Sequence, residues 1–275
     1  MDRQTLIAEI FRKQSFLCIG LDTEPSRLPQ PLQGQVDGVF EFNRRIIDAT
    51  RDLCVAYKPN LAFYEARGAE GWRDFERTIQ YIGSEHFIIA DAKRGDIGNT
   101  SRLYAEAFFL RLPCDAVTVS PYMGADSVAP FLTFEGKWAV VLAITSNPGS
   151  ADFQERRLVL TGAPLWERVI EQGKQWGTPD NLMFVVGATH PHVFTRVRAI
   201  APEHFLLVPG IGTQGGDLET VCRHALTPQA GLLVSVSRSV LYASSNEDFA
   251  EAARAEAKRL QEQMAHFLQA VTVTG

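Results

Sequence analysis

The residues best suited to chemistry in this sequence alternate in charge and follow an apolar segment, residues 87–90. Asp91, Lys93 and Asp96 come after that segment in close succession. If the segment is a strand, Asp91 and Lys93 project from the same face, because successive side chains of a strand point to opposite faces. Their charged ends would then lie within roughly 4–6 Å, where each group shifts the pKa of the other. The pattern predicts an acid–base pair at the mouth of an α/β sheet, where such enzymes place their chemistry.

Other polar side chains stand where further apolar segments end. They are Asp22, Lys58, Ser146 and Arg238. Since the strands of a closed barrel all end on one face, these side chains would converge on one pocket. Each of them alone is equally explained by a solvated loop or a structural ion pair. A network of Lys58, Asp91 and Lys93 in a partly desolvated mouth would keep the lysines protonated and the carboxylate ionised.

A glycine-rich segment, Val208 to Asp217, follows the seventh predicted strand. Its glycines, at positions 210, 212, 215 and 216, allow the backbone to approach a ligand and to present N–H groups. Arg238 follows the eighth predicted strand, and its guanidinium suits bidentate contact with a phosphate. Barrels often bind phosphate with the loops after these two strands, so the combination predicts a phosphate site. A glycine turn beside a surface arginine is the alternative.

Two weaker motifs point to no separate chemistry. His190 and His192 flank a proline, but no Cys, Asp or Glu completes a metal-ligand set at suitable spacing, so we expect a loop and a helix start. Residues 145–149 predict either a turn after a strand or a lid over a polar ligand. Ser146 does not lie in a nucleophile-elbow pattern, which leaves hydrolase chemistry unsupported.

Apolar segments of strand length alternate with segments of helical periodicity along the chain. The predicted strands are residues 15–22, 55–58, 87–91, 116–120, 138–145, 182–186, 205–208 and 232–236. Such alternation predicts parallel strands joined by helical crossovers. At this length about eight units favour an α/β fold of the closed (β/α)8 TIM barrel type over an open doubly wound sheet. No break in composition divides the chain, so we expect one domain over residues 1–275.

Composition limits the classes of partner. The 27 basic and 32 acidic residues give a net charge of -5, which gives no support for nucleic-acid binding. Cys18 and Cys54 lie in apolar segments, as buried thiols in a reducing compartment would. The first ten residues are too polar for a signal peptide, and no apolar stretch approaches the roughly 20 residues that span a bilayer. We therefore expect a cytoplasmic protein that binds no membrane.

Taken together, these motifs resemble the orotidine 5'-phosphate decarboxylase family, most closely a bacterial subgroup. The matching segments occur in the family's order: residues 20–22, 58–60, 91–100, 145–149, 186–189, 209–217 and 237–239. The resemblance implies a (β/α)8 barrel, a homodimer, and conversion of the nucleotide orotidine 5'-phosphate to UMP and carbon dioxide without cofactor or metal. One departure is Arg94-Gly95, where other subgroups carry less polar pairs, although the Asp-x-Lys-x-x-Asp spacing is intact.

The resemblance also implies roles for the charged residues. Lys93 would protonate the ring carbon as carbon dioxide leaves. Asp91 would lie against the substrate carboxylate, where like-charge repulsion disfavours the ground state. Lys58 would orient Asp91 and contact the ribose, and Asp22 would bind a ribose hydroxyl.

The remaining implied roles concern the partner subunit and the two ends of the substrate. Asp96 would reach across the dimer into the partner's site, with Ile97 and Thr100 nearby. Ser146 would meet the pyrimidine edge. Further substrate contacts are implied for Pro209, Gln214 and Arg238, the last two of them to the phosphate.

Two other functions stay open. A sugar-phosphate decarboxylase or aldol-type synthase of the same superfamily shares the Asp-x-Lys-x-x-Asp element, but some of these enzymes need metal-binding carboxylates near it. Ser146 and residues 58–60 argue against that function. A catalytically silent nucleotide-binding protein would keep the barrel and the phosphate site, and the intact Asp91, Lys93 and Asp96 argue against it.

Overall fold

The computed structural model describes residues 1–189, 192–212 and 215–274, and it places eight parallel strands in a closed barrel, in chain order. The strands are β1 (Leu17–Gly20), β2 (Ala56–Lys58), β3 (Phe87–Arg94), β4 (Ala116–Val119), β5 (Trp138–Ile144), β6 (Leu182–Val186), β7 (Leu206–Pro209) and β8 (Leu232–Val236). The helices are α1 (Arg3–Lys13), α2 (Gly38–Thr50), α3 (Ala62–Glu65), α4 (Gly68–Ile82), α5 (Gly98–Glu106), α6 (Ala125–Val128), α7 (Ser150–Phe153), α8 (Leu165–Trp176), α9 (Val193–Ile200), α10 (Leu218–Ala225), α11 (Arg238–Leu241) and α12 (Phe249–Thr274). The predicted (β/α)8 TIM barrel is confirmed.

The helix α10 is missing from the predicted elements, although a barrel of this kind needs a crossover between β7 and β8. The side chain of Asp217 caps its first turn by accepting a hydrogen bond from the Thr220 N–H over 2.8 Å. Leu218, Val221 and Cys222 are buried at helical spacing. An aspartate N-cap followed by that spacing is the signal that locates this helix.

The strand β3 is longer than predicted and contains a bulge. Ala90 pairs with Val117 and Arg94 pairs with Val119, so residues 91–93 all oppose Thr118. Lys93 has a φ of +47°, in the left-handed region, which costs a residue other than glycine about 1 kcal/mol. Regular strand alternation, the reason given above for the shared face of Asp91 and Lys93, is therefore wrong at this point. The two side chains meet because the strand bulges.

Packing around the barrel is apolar throughout. Cys18, Cys54, Cys114 and Cys222 are all buried and free, as predicted for the first two. The helix α12 closes the chain against α2, where the rings of Phe42 and Phe249 stack with centroids 5.1 Å apart. Within the described ranges, no helix combines the length and the apolar character needed to cross a bilayer.

Candidate active site

Three charged side chains meet where β2 and β3 end. The Nζ atom of Lys58 lies 2.8 Å from Oδ2 of Asp91, and the Nζ atom of Lys93 lies 2.6 Å from Oδ1 of the same carboxylate. The side chains of Lys58 and Asp91 are 7% and 10% exposed, whereas that of Lys93 is 50% exposed. The structure thus brings together the predicted network, as a buried ion pair with a second ammonium group that solvent reaches.

The charges in this network support one another. Burial raises the pKa of Asp91, but the charges of Lys58 and Lys93 outweigh burial and hold its pKa well below the usual range. Burial lowers the pKa of Lys58, but the charges of Asp91 and Asp22 raise it, and the result lies above the ordinary value. Burial also raises the pKa of the nearby Cys18 thiol to about 12. At neutral pH the site therefore holds an ionised carboxylate and a cationic Lys58 beside a neutral thiol.

Asp22 follows β1 and carries an oxygen that is ready to accept a hydrogen bond. Its Oδ1 atom is buried and has no hydrogen-bond partner among the described residues. A Cβ on Gly20 would lie 2.8 Å from the Cβ of Ser237 and 3.5 Å from Oδ2 of Asp22, so glycine is needed for the chain after β1 to approach the chain after β8. An unpaired buried acceptor is costly in a native structure, and a ligand hydroxyl would satisfy it.

Ser146 follows β5 and is held against the chain after β6. A Cβ on Gly187 would lie 2.7 Å from the backbone nitrogen of Ser146, closer than real Cβ contacts come. The Thr189 hydroxyl donates to the Ser146 carbonyl over 3.2 Å. These two contacts fix the backbone of Ser146 at the carboxyl end of the barrel.

The glycine-rich loop after β7 closes on itself. The N–H of Gly212 donates to the Gly216 carbonyl over 3.1 Å, the N–H of Gly216 to the Gly210 carbonyl over 3.0 Å, and the N–H of Gly215 to the Gly212 carbonyl over 2.9 Å. The expectation that the glycines present free N–H groups to a phosphate is therefore wrong for Gly212, Gly215 and Gly216. Gln214 lies outside the described residues.

Pro209 and Arg238 occupy neighbouring strand ends. Pro209 is the last residue of β7 and pairs in register with Ser235 of β8. Arg238 is the first residue of α11, directly after β8. Because all strands of the barrel end on one face, these two residues lie on the same face as the charged network.

Asp96, Ile97 and Thr100 lie at the start of α5. Oδ1 of Asp96 accepts a hydrogen bond from the Ile97 N–H over 2.8 Å. Among the described ion pairs, Asp96 makes none with the lysines of the network. The side chain of Ile97 is 56% exposed, and Thr100 is exposed as well. These residues therefore do not join the charged network of their own chain.

Arg94, the residue at which the motif departs from the family pattern, has partners outside the charged network. Its guanidinium forms an ion pair with Glu65 and lies 5.4 Å from the ring centroid of Tyr104 and 5.6 Å from that of Phe108. The departure therefore leaves the contacts of Asp91 and Lys93 unchanged.

Sequence reasoning missed Thr118 of β4. Its hydroxyl donates to Oδ1 of Asp91 over 3.0 Å and accepts the backbone N–H of Lys93 over 2.9 Å. The available signal was a single hydroxyl residue in an otherwise apolar buried strand. A buried hydroxyl must find partners, and in this strand the nearest polar groups belong to β3.

The comparisons with known proteins agree with this geometry. The model of the orotidine 5'-phosphate decarboxylase / HUMPS family matches residues 15–255. The chain belongs to this family. Among family members it is similar to the orotidine 5'-phosphate decarboxylase of Bacteroides fragilis, with 53% identity over 274 residues, covering 98% of this chain and 100% of that one. It is also 52% identical to the enzyme of the same name from Phocaeicola vulgatus over 267 residues, covering 96% of this chain and 98% of that one.

A solved structure within the family has the same fold. The OMP decarboxylase of Leishmania donovani superposes with a TM-score of 0.84 and 37% identity, covering 98% of this chain and 99% of that one. Among the described residues of the present chain, no three His, Cys, Asp or Glu side chains are grouped as metal ligands, and His190 lies outside those residues. Both oxygens of Asp91 are already engaged by ammonium or hydroxyl groups.

Proposed function

We propose that this chain is an orotidine 5'-phosphate decarboxylase, a carboxy-lyase that forms UMP and carbon dioxide in de novo pyrimidine synthesis. The observation that carries the proposal is the network of Lys58, Asp91 and Lys93, a buried carboxylate held ionised between two ammonium groups. Relatives named for this activity are 52–53% identical over nearly the full chain, which supports the same assignment.

Lys93 is the proposed proton donor. When the bond between the pyrimidine ring carbon and its carboxylate breaks, the electron pair stays on the ring carbon and carbon dioxide leaves. The Lys93 ammonium stabilises this negative charge and then transfers a proton to the carbon. Because its side chain is half exposed, the resulting amine regains a proton from solvent.

Asp91 contributes through its negative charge. Its carboxylate would lie against the carboxylate of the substrate, and their repulsion is relieved as the substrate group becomes neutral carbon dioxide. Only an ionised Asp91 has this effect, and the charges of Lys58 and Lys93 keep it ionised. Lys58 would also contact the ribose.

The rest of the substrate would be bound at the other strand ends. The unpaired buried oxygen of Asp22 would accept a hydrogen bond from a ribose hydroxyl. Ser146 would contact the pyrimidine edge. The residues proposed around the phosphate end are Pro209, Gln214 and Arg238. Binding energy from a phosphate that does not react can serve the chemical step at the distant ring carbon.

We also propose a homodimer in which Asp96 completes the site of the partner subunit. Asp96 has no ion pair with the lysines of its own described network. The helix α5 and its surroundings expose large apolar side chains, which a second copy of the chain would cover. They are Ile97, Leu103, Leu110, Tyr122 and Met123.

Mixing two inactive variants tests the shared site. In a heterodimer of Asp96→Asn and Lys93→Ala chains, one site has an intact Lys93 and an intact Asp96 from the partner. After random exchange of subunits, about a quarter of the sites should regain activity, because half of the dimers are mixed and each has one intact site. If each site uses the Asp96 of its own chain, mixing restores nothing.

The function itself is tested by following the loss of orotidine 5'-phosphate absorbance with purified protein, with and without EDTA. We expect turnover to UMP at the same rate in both samples. Loss of turnover in EDTA would favour the metal-dependent relative, and UMP binding without turnover would favour a silent binding protein. Either result from correctly folded protein contradicts the proposal.

We further propose a cytoplasmic protein of one domain over residues 1–275 that binds neither nucleic acid nor membrane. The net charge of -5 and the four buried free cysteines support this proposal. Cell fractionation tests the location, and a single cooperative unfolding transition measured by two probes tests the one-domain organisation.

A further inference from the structure

Thr118 connects the two central groups of the proposed site through a single hydroxyl. It lies on β4 with 1% of its surface exposed. Its Oγ1 atom accepts the backbone N–H of Lys93 over 2.9 Å and donates to Oδ1 of Asp91 over 3.0 Å. A backbone N–H only donates and an ionised carboxylate only accepts, so the direction of both hydrogen bonds is determined by the partners.

The bulge in β3 explains why a hydroxyl is needed at this position. Residues 91–93 all oppose Thr118, which disrupts the regular ladder of backbone hydrogen bonds between β3 and β4. Lys93 lies within the bulge with a φ of +47°. The Thr118 hydroxyl accepts the N–H that the ladder leaves over, and it thereby holds the backbone from which the Lys93 side chain extends.

The same hydroxyl limits the rotation of the Asp91 carboxylate. Oδ2 accepts from Lys58 over 2.8 Å, while Oδ1 accepts from both Lys93 and Thr118. The Lys93 amine is on a long and half-exposed side chain, so it can follow the carboxylate if the carboxylate turns. Thr118 extends from a barrel strand and cannot follow it in this way.

We propose that Thr118 is a positioning residue for the decarboxylation, which orients the Asp91 carboxylate and the Lys93 backbone relative to the substrate. The proposal rests on the proposed function. With 1% of its surface exposed, Thr118 acts through these two neighbours and not by contact with the nucleotide. Its loss should therefore affect kcat more than the binding of substrate.

The test compares Thr118→Val, which keeps the shape and removes the hydroxyl, with Thr118→Ser, which keeps the hydroxyl. We expect kcat for orotidine 5'-phosphate to fall about 10–100-fold in Thr118→Val, the loss typical of a hydrogen bond to a charged group. KM and the calorimetric Kd for UMP should stay within about threefold of the wild-type values, because the phosphate and ribose contacts are untouched. Thr118→Ser should keep kcat within about threefold of wild type.

Each outcome decides one question. A folded Thr118→Val protein with wild-type kcat would overturn the positioning role, and so would equal losses of kcat in the Val and Ser variants. A parallel loss of kcat and of UMP stoichiometry would indicate damaged structure and would also overturn it. If Thr118→Val yields no folded protein, Thr118→Ala undergoes the same comparison with Thr118→Ser. A wild-type protein that does not decarboxylate the nucleotide would instead contradict the proposed function.

Discussion

Replacing Lys93 with alanine should abolish turnover and leave the fold nearly as stable as before. The Lys93 amine is 2.6 Å from Asp91, but its side chain is 50% exposed. Solvent screening limits the stability of such a pair to at most about 1 kcal/mol. A positioned proton donor typically contributes about 10²–10⁴-fold to a rate, and stabilisation of developing charge contributes about 10²–10³-fold. We therefore expect kcat to fall by at least about 10⁴-fold.

Lys58 forms a similar ion pair with the same carboxylate but is only 7% exposed. Lys58→Ala removes one partner of a buried pair, which typically costs about 3 kcal/mol or more of unfolding free energy because a buried charge loses its counterion. Both lysine variants should lose turnover, but only Lys58→Ala should also lose that much stability. Burial alone distinguishes them.

The assay follows orotidine 5'-phosphate absorbance for turnover, UMP binding by calorimetry and unfolding in urea. Lys258→Ala is the matched control, since this lysine is 60% exposed and lies 3.8 Å from Glu262 on α12. It should change neither turnover nor stability. The reasoning is refuted if folded Lys93→Ala keeps turnover within about tenfold of wild type, a loss too small for the proton donor.

Three further predictions concern pH, phosphate binding and packing. Burial lowers the pKa of His86 and of His204 from 6.5 to about 4, so between these values the unfolded chain binds protons that the native chain does not. Stability should therefore fall by about 1 kcal/mol per pH unit for each histidine as pH is lowered through that window, and urea unfolding of His204→Phe should show the smaller slope. Arg238→Ala should lower kcat/KM about 100-fold by loss of a phosphate contact, while Arg223→Ala on α10 should not; equal effects in initial-rate assays would contradict the assignment. Gly187→Ala should cost about 1–3 kcal/mol of unfolding free energy, because its new Cβ would meet the backbone after β5 at 2.7 Å, and an unchanged urea midpoint would argue against that contact.

Several features of this protein could be predicted from sequence because they depend on local pattern. Apolar segments of strand length alternating with helical periodicity predict a parallel barrel, and the structure confirms it. Position at the end of a strand is enough to place Asp22, Lys58, Asp91 and Arg238 on one face, since every strand of the barrel ends there.

Other features depend on which residues the closed barrel brings into contact. The bulge in β3 arises from its pairing with β4, and no local pattern in residues 87–94 shows it. The role of Thr118 depends on that pairing as well, because its two partners lie more than twenty residues earlier in the chain. Likewise, the closed hydrogen bonding of the loop after β7 could not be deduced from its glycines, since the same residues also suit an open phosphate loop.

The sequence by itself determined the barrel, the set of charged residues at its mouth and the family. Only the tertiary structure decided that Lys58 is buried while Lys93 is half exposed, although both are lysines at strand ends. The physical reason is that residue type and periodicity are local, whereas burial and hydrogen-bond partners depend on how distant strands close around the same carboxylate.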